Sequence, residues 1–218
     1  MNFDTQAIID AVPYLKIGLL NTVFLSVLGI VLSSALGILF ALLRISRNPI
    51  IKWLLVTYIE IFRNTPIVAQ IFYLYFALPL MGIKVSAFNC GLIALVLHFS
   101  AYNIEVFRSG LEAVPYGLNE ASESLGFTHL QKLKLVVLPL ALRFSLPALA
   151  NNYVSLLKHT AYVSVIGVAE LTYVAQSRIA DSFVFMEMYS LIAVLYLVLV
   201  FGLTWLLRMV ERRYAIEF

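Results

Sequence analysis

"NEASESLGFTHLQKLKLVVLP", residues 119–139, is a polar island in a chain built mostly of apolar runs. Glu120 and Ala121 open it, Gly126 interrupts it, and Leu138-Pro139 closes it. Leu118, Ala121 and Leu125 recur at intervals of three and four, the period of one helix face. Pro115 suits a helix start just before them, and Gly126 ends or bends that helix. "FTHLQKLKLVV" (127–137) then resumes a helical pattern, and Pro139 sets how the chain enters the next apolar segment. A helix this short is marginal by itself in water. It needs a surface to lie on: the chain's own segments, a membrane surface, or another protein.

The surroundings of the island fix the fold class. The chain has 218 residues, of which 62% are hydrophobic and 12% charged, with a mean hydropathy of +0.94. Soluble domains are nearer half apolar and a quarter charged, so this chain has too little polar surface to cover a water-soluble fold. It reads as an all-α integral membrane protein. The single Cys90 excludes an internal disulfide and a multi-cysteine metal site, and the three histidines lack short metal-ligand spacing. No metal is expected. The net charge of +3 is scattered singly between apolar runs, without the basic stripe that nucleic acid requires. "MNFDTQAIID" (1–10) carries Asp4 and Asp10 and no basic cluster, so the first apolar segment is expected to remain in the mature protein.

A helix crosses a bilayer with about 20 apolar residues. Five spans are expected, at 17–43, 53–80, 85–107, 145–173 and 188–207. The fourth is read as two half-helices, broken near 158–160 by Lys158-His159. Arg44, Arg47, Lys52, Arg108, Lys132, Lys134, Arg208, Arg212 and Arg213 then fall on one side, and only Lys16, Lys84 and Arg178 on the other. Basic residues collect in cytoplasmic loops. The N-terminus is therefore expected outside and the C-terminus in the cytoplasm, with a cytoplasmic loop over 109–139 between spans three and four.

Polar residues inside the spans are the candidates for a pathway. Asn64, Thr65 and Gln70 fall near the middle of span two, His98 in span three, and Lys158, His159 and Thr160 in span four, with Glu170 beyond. A charge at that depth costs about 3 kcal/mol, so it faces a cavity or a partner. Broken helices at the midplane are where transporters hold their substrates. Blander readings stand beside these. Pro66 fits a packed kink, His98 a hydrogen-bonded core residue, Lys158 a structural pair with Glu170, and "FYLYF" (72–76) a lipid-facing surface. "IEIFR" (59–63) recurs as "IEVFR" (104–108), each with Glu and Arg three apart on one helical face. Glu60–Arg63 and Glu105–Arg108 are either local ion pairs or ties between span ends that form a gate.

The island resembles the EAA loop of ABC-importer permeases: E-A-A, three residues, G, nine residues, I-x-L-P. Here it runs Glu120-Ala121-Ser122, Gly126, then Val136-Val137-Leu138-Pro139, with Ser122 for Ala and Val136 for Ile. Residues 58–79, 101–127 and 155–171 resemble the polar amino acid branch of that family, in which an acidic residue usually follows Lys158; here it is His159. The resemblance implies a single transmembrane permease domain over 1–218 in a bacterial inner membrane. It implies that the loop is a coupling helix through which Glu120, Ala121, Ser122, Gly126, Leu138 and Pro139 meet an ATPase. The partners implied are two ATPase subunits holding ATP and Mg, a second permease copy or sister, and an extracytoplasmic binding protein that delivers a polar amino acid. No cofactor is expected on this chain, and its partners include lipid but not nucleic acid. The chain has no G-x-x-x-x-G-K-[ST] phosphate loop and no H-E-x-x-H or G-x-S-x-G, so it is not expected to be an enzyme. A stand-alone secondary transporter or channel is the alternative. The missing carboxylate at His159 leads us to expect a neutral or acidic amino acid over a basic one.

Overall fold

The computed structural model describes residues 5–44 and 48–214, and among them every regular element is helical, with no strand. Asp4 and Arg47, both used above, lie outside the described residues. Four helical stretches are long and apolar enough to cross a membrane: Ile8–Arg44, Ala87–Glu112, His129–Ile166 and Phe185–Tyr214. A shorter apolar helix, Ile67–Leu80, accompanies them.

Helix α1 (Thr5–Arg44) has 40 residues. At 1.5 Å per residue it is about 60 Å long, twice the hydrocarbon thickness. It starts well before residue 17, where the first span was expected. The extra turns are held because Ala11 and Leu15 are buried against Leu171, Val174 and Met188. The stretch expected as span two is not one helix. It consists of α2 (Pro49–Asn64) and α3 (Ile67–Leu80), separated by Thr65 in an extended conformation (φ −106°, ψ 140°) and Pro66. Proline has no N–H to give and pushes the residue before it out of the α region.

Helix α4 (Ala87–Glu112) starts on Ser86, whose hydroxyl accepts from the Asn89 N–H, and runs five residues past the expected end of span three. It is the axis of the molecule, because it alone packs against α1, α2, α3 and the helix of residues 138–159. Leu95, Phe99, Ile104 and Phe107 fill its apolar contacts. Gly110 lets that last helix approach closely: a Cβ there would sit 2.5 Å from the Ala141 carbonyl oxygen. Small residues at such crossings are how membrane helices gain contact, since lipid supplies no hydrophobic drive.

After α5 (Tyr116–Ser124), the chain forms one continuous helical stretch. It comprises α6 (His129–Lys132), a π-helical turn over Leu133–Val137, and α7 (Leu138–His159). This corrects the expectation for span four. The helix does not begin at 145: it runs on from His129, and Pro139 comes just after the π-helical turn, where the bonding pattern changes, without interrupting it. The break near 158–160 also lacks a second α-helical half. A 3₁₀ helix over Thr160–Ile166 follows, then Gly167 in the left-handed region (φ 79°), then α8 (Leu171–Ser182). Helix α9 (Phe185–Tyr214) has 30 residues and lies at the periphery, with Glu187, Met188 and Ile192 as its buried contacts.

Candidate transport site and coupling loop

The polar island forms two capped pieces. Helix α5 opens at Pro115 and closes in a Schellman turn, in which the Phe127 N–H donates to the Ser122 carbonyl and the Gly126 N–H to that of Glu123. Gly126 has φ +76°, which any side chain would strain. Thr128 and Gln131 make a reciprocal capping box that starts α6. Lys132 Nζ lies 2.6 Å from a Glu123 carboxylate oxygen, tying the pieces together and holding that carboxyl below its usual range. Glu120 and Ala121 are exposed, as are Gly126 and Pro139. Ser122 is buried and hydrogen-bonds the Leu118 carbonyl, and Leu138 is half-buried. Tyr116, Leu125 and Leu130 are 75%, 74% and 59% exposed, an apolar surface on a segment too polar to lie in lipid.

The second cluster surrounds the break between α2 and α3. Pro66 gives no N–H to the preceding turn, and the Gln70 amide takes over. Its Nε2 donates to the Phe62 carbonyl at 3.0 Å, the Thr65 carbonyl at 3.2 Å and the Thr65 hydroxyl at 2.7 Å. Thr65 in turn donates to Ile61, and Asn64 to a Glu60 carboxylate oxygen. The Phe62 carbonyl also faces His98. The His98 and His159 rings stack with centroids 6.3 Å apart, and Phe99, Tyr102 and Tyr162 line the same patch. His159 Nδ1 bonds the Ser155 carbonyl at 2.7 Å. Two buried polar atoms here have no partner in the structure: Gln70 Oε1 and His98 Nδ1. An unpartnered buried polar atom is costly, and both of these lie beside the break.

Four of the eight pathway candidates therefore meet, Thr65, Gln70, His98 and His159, whereas Asn64 is exposed and turned to Glu60. Lys158 is exposed, and Thr160 is buried with its hydroxyl on the Leu157 carbonyl. Glu170 is elsewhere. It is fully buried as the N-cap of α8, accepting from the Thr172 and Tyr173 N–H groups and from the Tyr196 hydroxyl at 2.7 Å. The Lys158–Glu170 pair does not form, because Glu170 is already satisfied by α8 and α9.

The two Glu-Arg repeats also diverge. Glu105 binds Arg108 at 2.9 Å and pairs with Arg44 of α1, and Arg108 binds Glu112 at 2.6 Å. Glu60 and Arg63 form no ion pair, which corrects the expectation for them. Glu60 takes Asn64, and the Arg63 guanidinium lies 5.1 Å over the Tyr102 ring. Nothing in the local pattern marks a third polar group, the seam between α1, α4 and α7. There Asn103 donates to Ser33 at 3.2 Å and accepts from Asn152 at 3.1 Å, and Ser34 meets Tyr153 at 2.7 Å. Their spacing is unremarkable in sequence; only helix adjacency brings them together.

The match to known proteins fits an all-helical membrane fold with a capped polar loop. Residues 29–216 match the family described as the binding-protein-dependent transport system inner membrane component, and the chain belongs to that family. It is 36% identical over 218 residues to the glutamine transport system permease protein GlnP of Escherichia coli (strain K12), covering 99% of this chain and 100% of that one. It is 33% identical over 214 residues to the arginine transport system permease protein ArtQ of Bacillus subtilis (strain 168), covering 98% of each. It superposes with a TM-score of 0.90 and 36% identity on the crystal structure of an amino acid ABC transporter with histidines, covering 98% of this chain and 100% of that one. The inward-facing MetNI methionine ABC transporter matches at a TM-score of 0.75 and 19% identity, a likeness of fold.

Proposed function

We propose that this chain is the membrane-spanning subunit of an ABC importer that moves a polar, uncharged amino acid inward. Full-length identity of 36% to a glutamine permease carries the reading. ATP and Mg belong to two separate ATPase subunits. A second permease, identical or sister, and an extracytoplasmic binding protein complete the complex. The chain crosses the bilayer five times, with α2 and α3 sharing one crossing, the N-terminus outside and the C-terminus inside. Arg44, Lys52 and Arg108 line one cavity at one end of the molecule, which supports that orientation.

Helix α5 is the coupling helix. Exposed Tyr116 at its start and Leu125 at its C-cap suit a groove in the ATPase, a helix-in-groove contact closed by the Gly126 turn, with exposed Leu130 of α6 beside it. The Arg44–Glu105–Arg108–Glu112 chain then links the end of α4, just before α5, to α1. Substrate passes the cluster at the span-two break, where Gln70 Oε1 and His98 Nδ1 lack partners. His159 stands where the family pattern has an acidic residue after Lys158, and the missing carboxylate favours a neutral side chain over a cationic one.

The test is reconstitution of the chain with its ATPase subunits and binding protein. ATP-driven glutamine uptake that Gly126→Trp abolishes is the expected result, with arginine a poor competitor. Flux driven by an ion gradient in vesicles holding this chain alone would favour the secondary-transporter alternative instead.

A further inference from the structure

The ends of α1, α2 and α4 border an open pocket of about 420 Å³ lined by Arg44, Lys52, Arg108 and Glu112, with Ala41 and Val56 as apolar walls. Its charges do not cancel. Glu105 accepts from both Arg44 and Arg108, and both oxygens of Glu112 bind Arg108 Nη1 at 2.6 Å. Three cations face two carboxylates, so one positive charge is left over. That charge is on Lys52, which has no ion-pair partner among the described residues. Arg44 engages Glu105 through Nη1, which leaves its other terminal nitrogen for a second acceptor.

The setting identifies the anion. On α2, one residue from Lys52, Trp53 is 66% exposed, and Ile50 at the helix start is 65% exposed. An exposed tryptophan beside basic residues at a helix end is typical of the boundary between headgroups and acyl chains. Basic pockets between helices on the cytoplasmic side suit anionic lipid headgroups. A zwitterionic headgroup brings its own ammonium, which a cavity with surplus positive charge does not favour. A free phosphate would leave Trp53 and Ile50 uncovered, whereas a lipid lays its acyl chains along them.

We propose that this cavity binds the phosphate of an anionic phospholipid of the inner leaflet, with Lys52 and Arg44 as donors. The inference rests on the orientation above but on neither the substrate nor the coupling role of α5. The test is native mass spectrometry of the whole transporter complex, purified in mild detergent and offered phosphatidylglycerol, phosphatidylcholine or inorganic phosphate. Phosphatidylglycerol should be retained about fivefold better than phosphatidylcholine, the factor that one basic group at an anionic surface contributes. Lys52→Gln should bring the two lipids near parity, Lys52→Arg should restore the preference, and Lys84→Gln, on the opposite side, should leave it intact. Equal retention by the native complex overturns the site, and so does a Lys52→Gln complex that keeps the preference. Displacement of phosphatidylglycerol by an equal concentration of inorganic phosphate overturns the lipid as the ligand.

Discussion

Residues 59–63 and 104–108 differ by one residue in five, yet their charged side chains do different things. In the second copy Glu105 is 23% exposed and gathers Arg108 from its own helix and Arg44 from α1. In the first, Glu60 turns to Asn64 and Arg63 to the Tyr102 ring. The residues that follow diverge as well. Thr65-Pro66 ends α2, whereas Ser109-Gly110 lets α4 continue and press on α7. A Glu and an Arg three apart permit an ion pair but do not compel one. The deciding factor is whether a neighbouring helix brings a second cation and shields the carboxylate from water.

Substitutions in and beside the two copies sharpen that contrast. Gly110→Val should cost the most, about 3 kcal/mol, because its Cβ would sit 2.1 Å from Ser145 Oγ and 2.5 Å from the Ala141 carbonyl, which cannot move aside. Thermal unfolding of the detergent-purified complex reads it, and a Val variant as stable as native would show that α4 and α7 are farther apart than described. Glu105→Gln should cost about 2 kcal/mol, since it leaves Arg44 and Arg108 facing each other across a neutral amide. The Arg44→Glu, Glu105→Arg exchange should recover part of that loss, and a double-mutant cycle with no coupling would refute the bridge. Arg63→Gln should lose about 0.5–1 kcal/mol of ring contact, and Arg63→Lys less. Glu60→Gln should change the unfolding midpoint least, by under about 0.5 kcal/mol. Should Glu60→Gln prove as costly as Glu105→Gln, the contrast between the two copies disappears.

The parts legible in sequence are those governed by local rules. Helix α5 and its stop follow from a three-and-four period, a proline at the start and a glycine in the left-handed region, all readable without neighbours. The break at Thr65-Pro66 was readable as a kink, but that Gln70 spans it was not, because the amide reaches back eight residues to Phe62. The continuous helix through Pro139 was misjudged for a related reason. A proline looks like a stop when the π-helical turn just before it is unseen. Glu170 illustrates the limit for charged residues in apolar surroundings. Its role as a buried N-cap depends on Tyr196, which is 26 residues away and on another helix.

The amide of Gln70 carries one further consequence. Where an unbroken helix would join its halves by a row of peptide bonds, α2 and α3 are fastened by one side chain bearing two hydrogens. Such a clasp holds while its acceptors stay close, and releasing it would unwind no turn of either helix. A carboxylate in its place, lacking any hydrogen to offer, would leave the joint unlatched.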